Sequence, residues 1–265
     1  MNPDHEFDVD TAVERVDDHR FTATVTDRWH TFAGPNGGYI LAICTRAMGH
    51  EVSFPDPLAV SAHFLRPPKP GPAEVRTEPI RSGRRHAFVQ ASLAQEGKEI
   101  ARALAAFADL ETATGRTLVL DSPPELPSPD ECLDPLEHAS GSLPRPALAD
   151  RLDVRVPEIP GWLGGEPTGD STFELWMRFR DGRRPDSLSI VFLVDAAAPA
   201  VLELGEFASS TIELTVHVRA RPATEWLACR QSTRYLLSGY HDEDMEMWDG
   251  NGTLVAQARQ LALLG

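Results

Sequence analysis

The chain has 265 residues, 42% of them apolar and 25% charged, the composition of a globular protein with a sizeable core. Its 40 acidic against 25 basic residues give a formal charge of −15, which repels a phosphate backbone and argues against nucleic-acid binding. Three scattered cysteines, Cys44, Cys132 and Cys229, have neither metal-ligand nor redox spacing and predict buried thiols in a reducing compartment.

Residues 1–10 (MNPDHEFDVD) are acidic and polar, unlike a secretory signal, so a cytosolic protein is the expectation. Residues 11–16 predict a short helix and 21–26 a strand. The turn-rich run 29–38, ending Asn36-Gly37-Gly38, leads into an apolar stretch of helical length at 39–48. Four strands are predicted between 58 and 110, punctuated by Pro67-Pro68, Pro70-Gly71-Pro72, Ser82-Gly83 and Glu96-Gly97. The proline-rich segment 111–148 has no periodicity and reads as a connector between an N-terminal half (1–110) and a C-terminal half (149–265). That second half restarts with strands at 152–156 and 173–179. Asp186 is a candidate N-cap for a helix over 187–204, kinked near Pro199, and four strands follow. The run 188–204 is the most apolar in the chain, but it carries Asp195, Pro199 and Glu203 and is too short to span a bilayer.

The two halves repeat one another at an offset of about 155 residues. Ser61-Ala62-His63-Phe64 aligns with Thr215-Val216-His217-Val218, and Gly97-Lys98-Glu99-Ile100-Ala101 with Gly252-Thr253-Leu254-Val255-Ala256. This spacing exceeds a solenoid period and indicates two related modules with a site between them. A helix apolar nearly all round must be covered on most sides, and an antiparallel sheet with one apolar face can curl around it. The expected class is α+β: a double hot-dog, with two long central helices each wrapped by a curled antiparallel sheet.

Asp195 is an ionisable group inside the most apolar segment. It either occupies a wet stripe of the helix or serves as a general base tuned by its surroundings. Thr211 and Gln260 are ordinary strand residues individually; beside a carboxylate, a hydroxyl and a carboxamide make a cradle for one water molecule. Gln260 aligns with Ala105 and Asp195 falls near Thr45, so the first half lacks this set and one site per chain is expected. Gly37 and Gly38 mark either a plain turn or backbone N–H groups that polarise a carbonyl oxygen. Arg81, Arg84 and Arg85 form the densest basic cluster, either a solvated loop or a seat for the phosphates of an anionic carrier. His63 and His217, at equivalent positions, suggest packing. No His-x-x-x-His, His-Glu-x-x-His or Gly-x-Ser-x-Gly pattern occurs, so neither a metal site nor a serine hydrolase is indicated.

These residues together resemble the acyl-CoA thioesterase II-like family of double hot-dog thioesterases. The similarity runs from about Phe21 to the C-terminus, with the proline-rich connector unmatched. It is carried by Phe32–Ile43, by Ser61-Ala62-His63-Phe64-Leu65-Arg66-Pro67, by Asp195, by Ser210-Thr211-Ile212-Glu213 and by the run GTLVAQARQ ending at Gln260. The resemblance implies that Asp195, Thr211 and Gln260 jointly activate a water molecule. It implies hydrolysis of acyl-CoA, or of an acyl carrier protein thioester, without metal or redox cofactor, in a homodimer of such chains. Glu213-Leu214-Thr215-Val216 departs from the family's Asp-His-Ser at this place. Strict alternation also puts Thr211 out of phase with the inward Ile212, Leu214 and Val216. A hot-dog hydratase or dehydratase, and a non-catalytic acyl-binding module, are the competing readings.

Overall fold

The computed structural model describes residues 5–32, 34–138 and 145–265. Ala33 of the turn-rich run, residues 1–4 of the polar N-terminus and 139–144 of the connector lie outside them.

The first half opens with α1 (Glu6–Asp10), β1 (Glu14–Asp17) and β2 (Arg20–Val25), followed by α2 (Gly37–Gly49). Strands β3 (Asp56–Phe64), β4 (Gly71–Ser82), β5 (Ala87–Gln95) and β6 (Lys98–Ala108) complete it. The second half has β7 (Leu152–Arg155), α3 (Gly161–Gly164), β8 (Thr172–Phe179) and α4 (Ser187–Leu193). It continues through β9 (Ser209–Val218), β10 (Leu227–Ser232), β11 (Leu236–Leu237), β12 (Tyr240–Asp249) and β13 (Leu254–Leu264).

The strands make one antiparallel sheet in the order β1-β2-β4-β5-β6-β3-β9-β13-β12-β10-β8-β7, with β11 paired to β12. Read outwards from the β3–β9 junction, the two halves have the same order, so the sequence repeat is also a repeat of topology. At the junction Ser61 pairs with Thr215, its own equivalent in the repeat, while Ala59 pairs with His217 and His63 with Glu213. This is the self-complementary pattern of a two-fold interface, here made within one chain. His63 and His217 are exposed, so the packing role expected for them is corrected: their strand phase turns both outwards, away from Ala62 and Val216.

Helix α2 packs on β2 to β6 and against α4, and α4 packs on β3 and β9. Asn36 caps α2 by accepting the Tyr39 N–H at 2.9 Å. Its residues are buried almost all round, from Gly38 to Met48. Helix α4 opens with a reciprocal cap: Asp186 accepts the Ser189 N–H at 2.7 Å and Ser189 Oγ accepts the Asp186 N–H at 2.8 Å.

Two predicted helices differ from the structure. The one expected at 11–16 lies earlier, at Glu6–Asp10, because tertiary contacts hold it there. Phe7 sits among Trp29, Phe179 and Phe192, with ring centroids 5.4–5.8 Å away, and Asp8 pairs with Arg46 and Arg183 at 3.0 Å. The long second central helix is also corrected. Helix α4 spans seven residues, against 13 in α2, and a separate 3-10 turn covers Ala200–Leu204. Between them the chain tightens, with Asp195 N–H donating to Phe192 O and Ala196 N–H to Leu193 O. Pro199 has no N–H and disfavours helical backbone at Ala198, so an α-helix cannot continue through this segment. All three cysteines are buried and unpaired. No helix among the described residues is long and apolar enough to cross a membrane.

Candidate active site

The tightening after α4 turns Asp195 towards the N-terminus of α2. Its Oδ2 accepts the Gly38 N–H at 2.7 Å and Asn36 Nδ2 at 3.0 Å, while Asn36 Nδ2 also reaches the Asp195 carbonyl at 2.6 Å. On the other side, Gln260 Nε2 donates to Asp195 Oδ1 at 3.3 Å. The Gln260 carbonyl accepts the Thr211 hydroxyl at 2.6 Å. The structure therefore brings Asp195, Thr211 and Gln260 into one hydrogen-bonded chain, from the turn after α4, from β9 and from β13 respectively.

Thr211 reaches this place through a β-bulge. Leu261 pairs with Glu213, but the next residue, Ala262, pairs with Thr211, leaving Ile212 as the extra residue on β9. One unpaired residue reverses the phase of a strand, so Thr211 faces inwards with Leu214 and Val216.

Glycine at 37 and 38 is a requirement of close approach. A Cβ on Gly38 would lie 2.8 Å from Phe192 O and 2.9 Å from Asp195 Cβ. One on Gly37 would lie 3.0 Å from the Phe64 ring and 3.1 Å from Asp195 Oδ2. Of the two amides expected to polarise a substrate carbonyl, that of Gly38 is already committed to the Asp195 carboxylate.

Two residues missed in the sequence complete the centre. Asn36 carried a readable signal, as an N-cap residue before a helix; its second contact, to Asp195, had none. Glu243 on β12 is in phase with the buried His241, Met245 and Met247, so an acidic residue on an inward-facing row was the available clue. Its Oε1 accepts the second N–H of Gln260 at 2.9 Å and its Oε2 accepts the Ala200 N–H at 2.8 Å.

Asp195 is partly buried, Gln260 and Glu243 almost wholly so. Loss of water around its carboxyl raises Asp195 to about 6, against the opposing pull of the Gly38 amide, Gln260 and Asn36. Burial likewise raises Glu243 to about 7, aided by the charge on Asp195 and opposed by Ala200, Gln231 and Gln260. Two carboxyls thus meet on one carboxamide, an arrangement in which Asp195 can take up and release a proton near neutrality.

The structure does not bring Arg81, Arg84 and Arg85 to this centre. In the β3–β6–β5–β4 rows, Phe64 lies level with Ala101, Leu93 and Val75, near Asp195. The exposed arginine hairpin lies at the other end: Arg81 pairs with Phe88, and Arg84 and Arg85 follow the row holding Phe107, Ala87 and Ser82. Six residues of β5, roughly 20 Å of strand, separate the Leu93 row from the Ala87 row.

Comparison with known proteins adds a family to this geometry. A profile of the acyl-CoA thioesterase N-terminal domain matches residues 25–108, and one of the acyl-CoA thioesterase C-terminal domain matches residues 121–264. A crystal structure described as a candidate thioesterase II from Thermobifida fusca is similar with a TM-score of 0.88 and 30% identity, covering 100% of this chain and 99% of that one. A conserved protein of unknown function with a hot dog fold from Alicyclobacillus acidocaldarius is similar with a TM-score of 0.85 and 25% identity, covering 98% of each chain. An uncharacterized protein of Mycobacterium tuberculosis is 27% identical over 267 residues, covering 92% of this chain and 90% of its own length.

Proposed function

Because the chain belongs to the acyl-CoA thioesterase family, with the N-terminal and C-terminal domains in one polypeptide, we propose that it hydrolyses acyl thioesters with Asp195 as the general base. The observation that carries this reading is the continuous hydrogen-bonded path from Thr211 through Gln260 to Asp195, at 2.6 and 3.3 Å. Asp195 removes a proton from water as the water oxygen bonds to the thioester carbonyl carbon. Thr211 gives its hydroxyl hydrogen to Gln260, so its oxygen lone pairs are left to accept the other hydrogen of that water. Gln260 has both N–H groups engaged and holds base and hydroxyl in register.

The developing oxyanion is assigned to the Gly37 N–H, since the Gly38 N–H serves Asp195. Collapse of the tetrahedral intermediate breaks the carbon–sulfur bond, and the proton held by Asp195 passes to the departing thiolate. A thiolate is a good leaving group, so the reaction asks for no separate strong acid. The proposed substrate is an acyl-CoA whose acyl carbonyl lies alongside the Asp195 carboxylate at the α2 N-terminus, next to Phe64.

Thiol release from acyl-CoAs of graded chain length, wild type beside Asp195→Asn, tests this reading. Loss of the base should lower turnover roughly 10²–10⁴-fold. Near-wild-type turnover by folded Asp195→Asn protein refutes the mechanism, and saturable acyl-CoA binding without thiol release refutes the activity.

A further inference from the structure

We infer that Glu243 is a positioning residue of this centre: it holds the Gln260 carboxamide in the one orientation that joins Asp195 to Thr211. The inference rests on the reading of Asp195, Thr211 and Gln260 as the hydrolytic centre. A carboxamide can be turned over by half a rotation, exchanging its carbonyl and amino groups at little cost in shape. Thr211 does not choose between the two orientations, because a hydroxyl can donate or accept. Glu243 does. It stands directly across from Gln260 in the β12–β13 ladder, on the same inner face. With Glu243 Oε1 at 2.9 Å from Gln260 Nε2, the opposite orientation would set the Gln260 carbonyl against both carboxyl groups.

The same side chain reaches the other flank of Asp195. Its Oε2 accepts the N–H of Ala200, the first residue of the 3-10 turn after Pro199. The segment from Asp195 to Ala200 is thereby tied at one end by Asn36, through the Asp195 carbonyl, and at the other by Glu243. Both oxygens of Glu243 face donors. A glutamine at 243 would set its own NH2 against one of them in either orientation, so the carboxylate is specifically matched to its surroundings. The groups facing Glu243 are Asp195 from the turn after α4, Gln260 from β13 and Gln231 from β10. His241, two residues along β12, is bonded instead to Ser209 Oγ at 2.8 Å and to the Asp242 carbonyl. No arginine or lysine pairs with Glu243 among the described residues, so an ion pair does not explain a carboxyl at this depth.

The test compares Glu243→Gln with Glu243→Met, which removes the acceptor without adding a donor and matches the neighbouring methionines. Each is made in the wild-type and in the Gln260→Ala background, with melting temperatures recorded alongside. With an acyl-CoA that the wild type hydrolyses, either variant should lower kcat about ten- to a hundredfold, the effect of removing one or two buried hydrogen bonds. KM should stay within about threefold, since Glu243 bonds to Gln260 and Ala200 and not to the substrate. In the Gln260→Ala background the loss caused by the same substitutions should shrink several-fold, because the carboxamide that Glu243 orients is gone and only its bond to Ala200 remains. A Glu243→Met protein with wild-type kcat, or a loss undiminished in the Gln260→Ala background, overturns the inference while leaving the hydrolytic reading intact. If the wild type hydrolyses no acyl-CoA, the hydrolytic reading fails separately. The positional claim is then read from the side-chain amide NMR signal of Gln260, which should shift in Glu243→Met and overturns the inference if it does not.

Discussion

The backbone N–H of Gly38 and the carboxylate of Asp195 meet at 2.7 Å although 157 residues separate them in the chain. The contact exists because neither Gly37 nor Gly38 carries a Cβ to hold the two central helices apart. A methyl group at 38 would lie 2.8 Å from the backbone oxygen of Phe192, which cannot move without shifting α4. Gly38→Ala should therefore destabilise the protein by roughly 1–3 kcal/mol, the usual penalty of overpacking, and reduce hydrolysis together with stability. Gly164→Ala, whose added Cβ meets nothing within 4 Å, is the matched control. Thermal melts and thiol-release rates on both variants check this, and a stable, fully active Gly38→Ala protein contradicts it.

The pH dependence of hydrolysis should report the desolvated base. Asp195 must be ionised to accept a proton, and burial raises it to about 6. We expect kcat/KM to fall as pH drops through about 6 and to level off above neutrality. A fall placed near 4, the range of an unperturbed aspartate, would show that the base is solvated or is another group.

Stability should depend on pH through the same pair, with a sign opposite to that of an ion-paired carboxylate. Asp195 is raised from 3.8 to about 6 and Glu243 from 4.5 to about 7, so between about pH 4 and 7 the folded state holds more protons than the unfolded chain. Their contribution is fully present below pH 4 and is lost as pH rises through the folded values. The stability of the wild type relative to Glu243→Gln should decline across this window by up to roughly 3 kcal/mol. Denaturant titrations at pH 4.5, 6 and 8 measure it, and a difference independent of pH would mean that Glu243 titrates normally.

The arginine hairpin, at the far end of the strands from Asp195, is proposed as the seat of the carrier's phosphates, which a long pantetheine arm separates from the thioester. Replacing Arg81, Arg84 and Arg85 together with alanine should raise KM for an acyl-CoA several-fold, with kcat little changed, and the rise should shrink as salt is added. A KM unchanged within about twofold would show that the phosphates do not reach this loop.

Much of the architecture was legible because it is written locally. Alternation marked β2, Pro and Gly turns marked β3 to β6, the mainly apolar stretch before His50 marked α2, and Asp186 marked the start of α4 by its capping chemistry. The repeat predicted paired halves, and Ser61 and Thr215 do meet at their junction. Asp195 drew attention as a charge among apolar neighbours, and the family resemblance pointed to Thr211 and Gln260 beside it. What the sequence determined by itself was thus most of the strands, the starts of the two central helices, the duplication and the chemical identity of three polar groups. Only the tertiary structure decided how these act together. Pro199 forbids a helix through to residue 204, but the turn of Asp195 towards α2 is held by Asn36 from the other half, which bonds the Asp195 carbonyl. The inward turn of Thr211 depends on the bulge at Ile212, where strict alternation points it outwards. Glu243 looked like one acidic residue among several on β12 until register set it opposite Gln260. Local preference follows from each residue and its neighbours, whereas strand register, a bulge and the desolvation of a carboxyl arise from groups far apart in the chain.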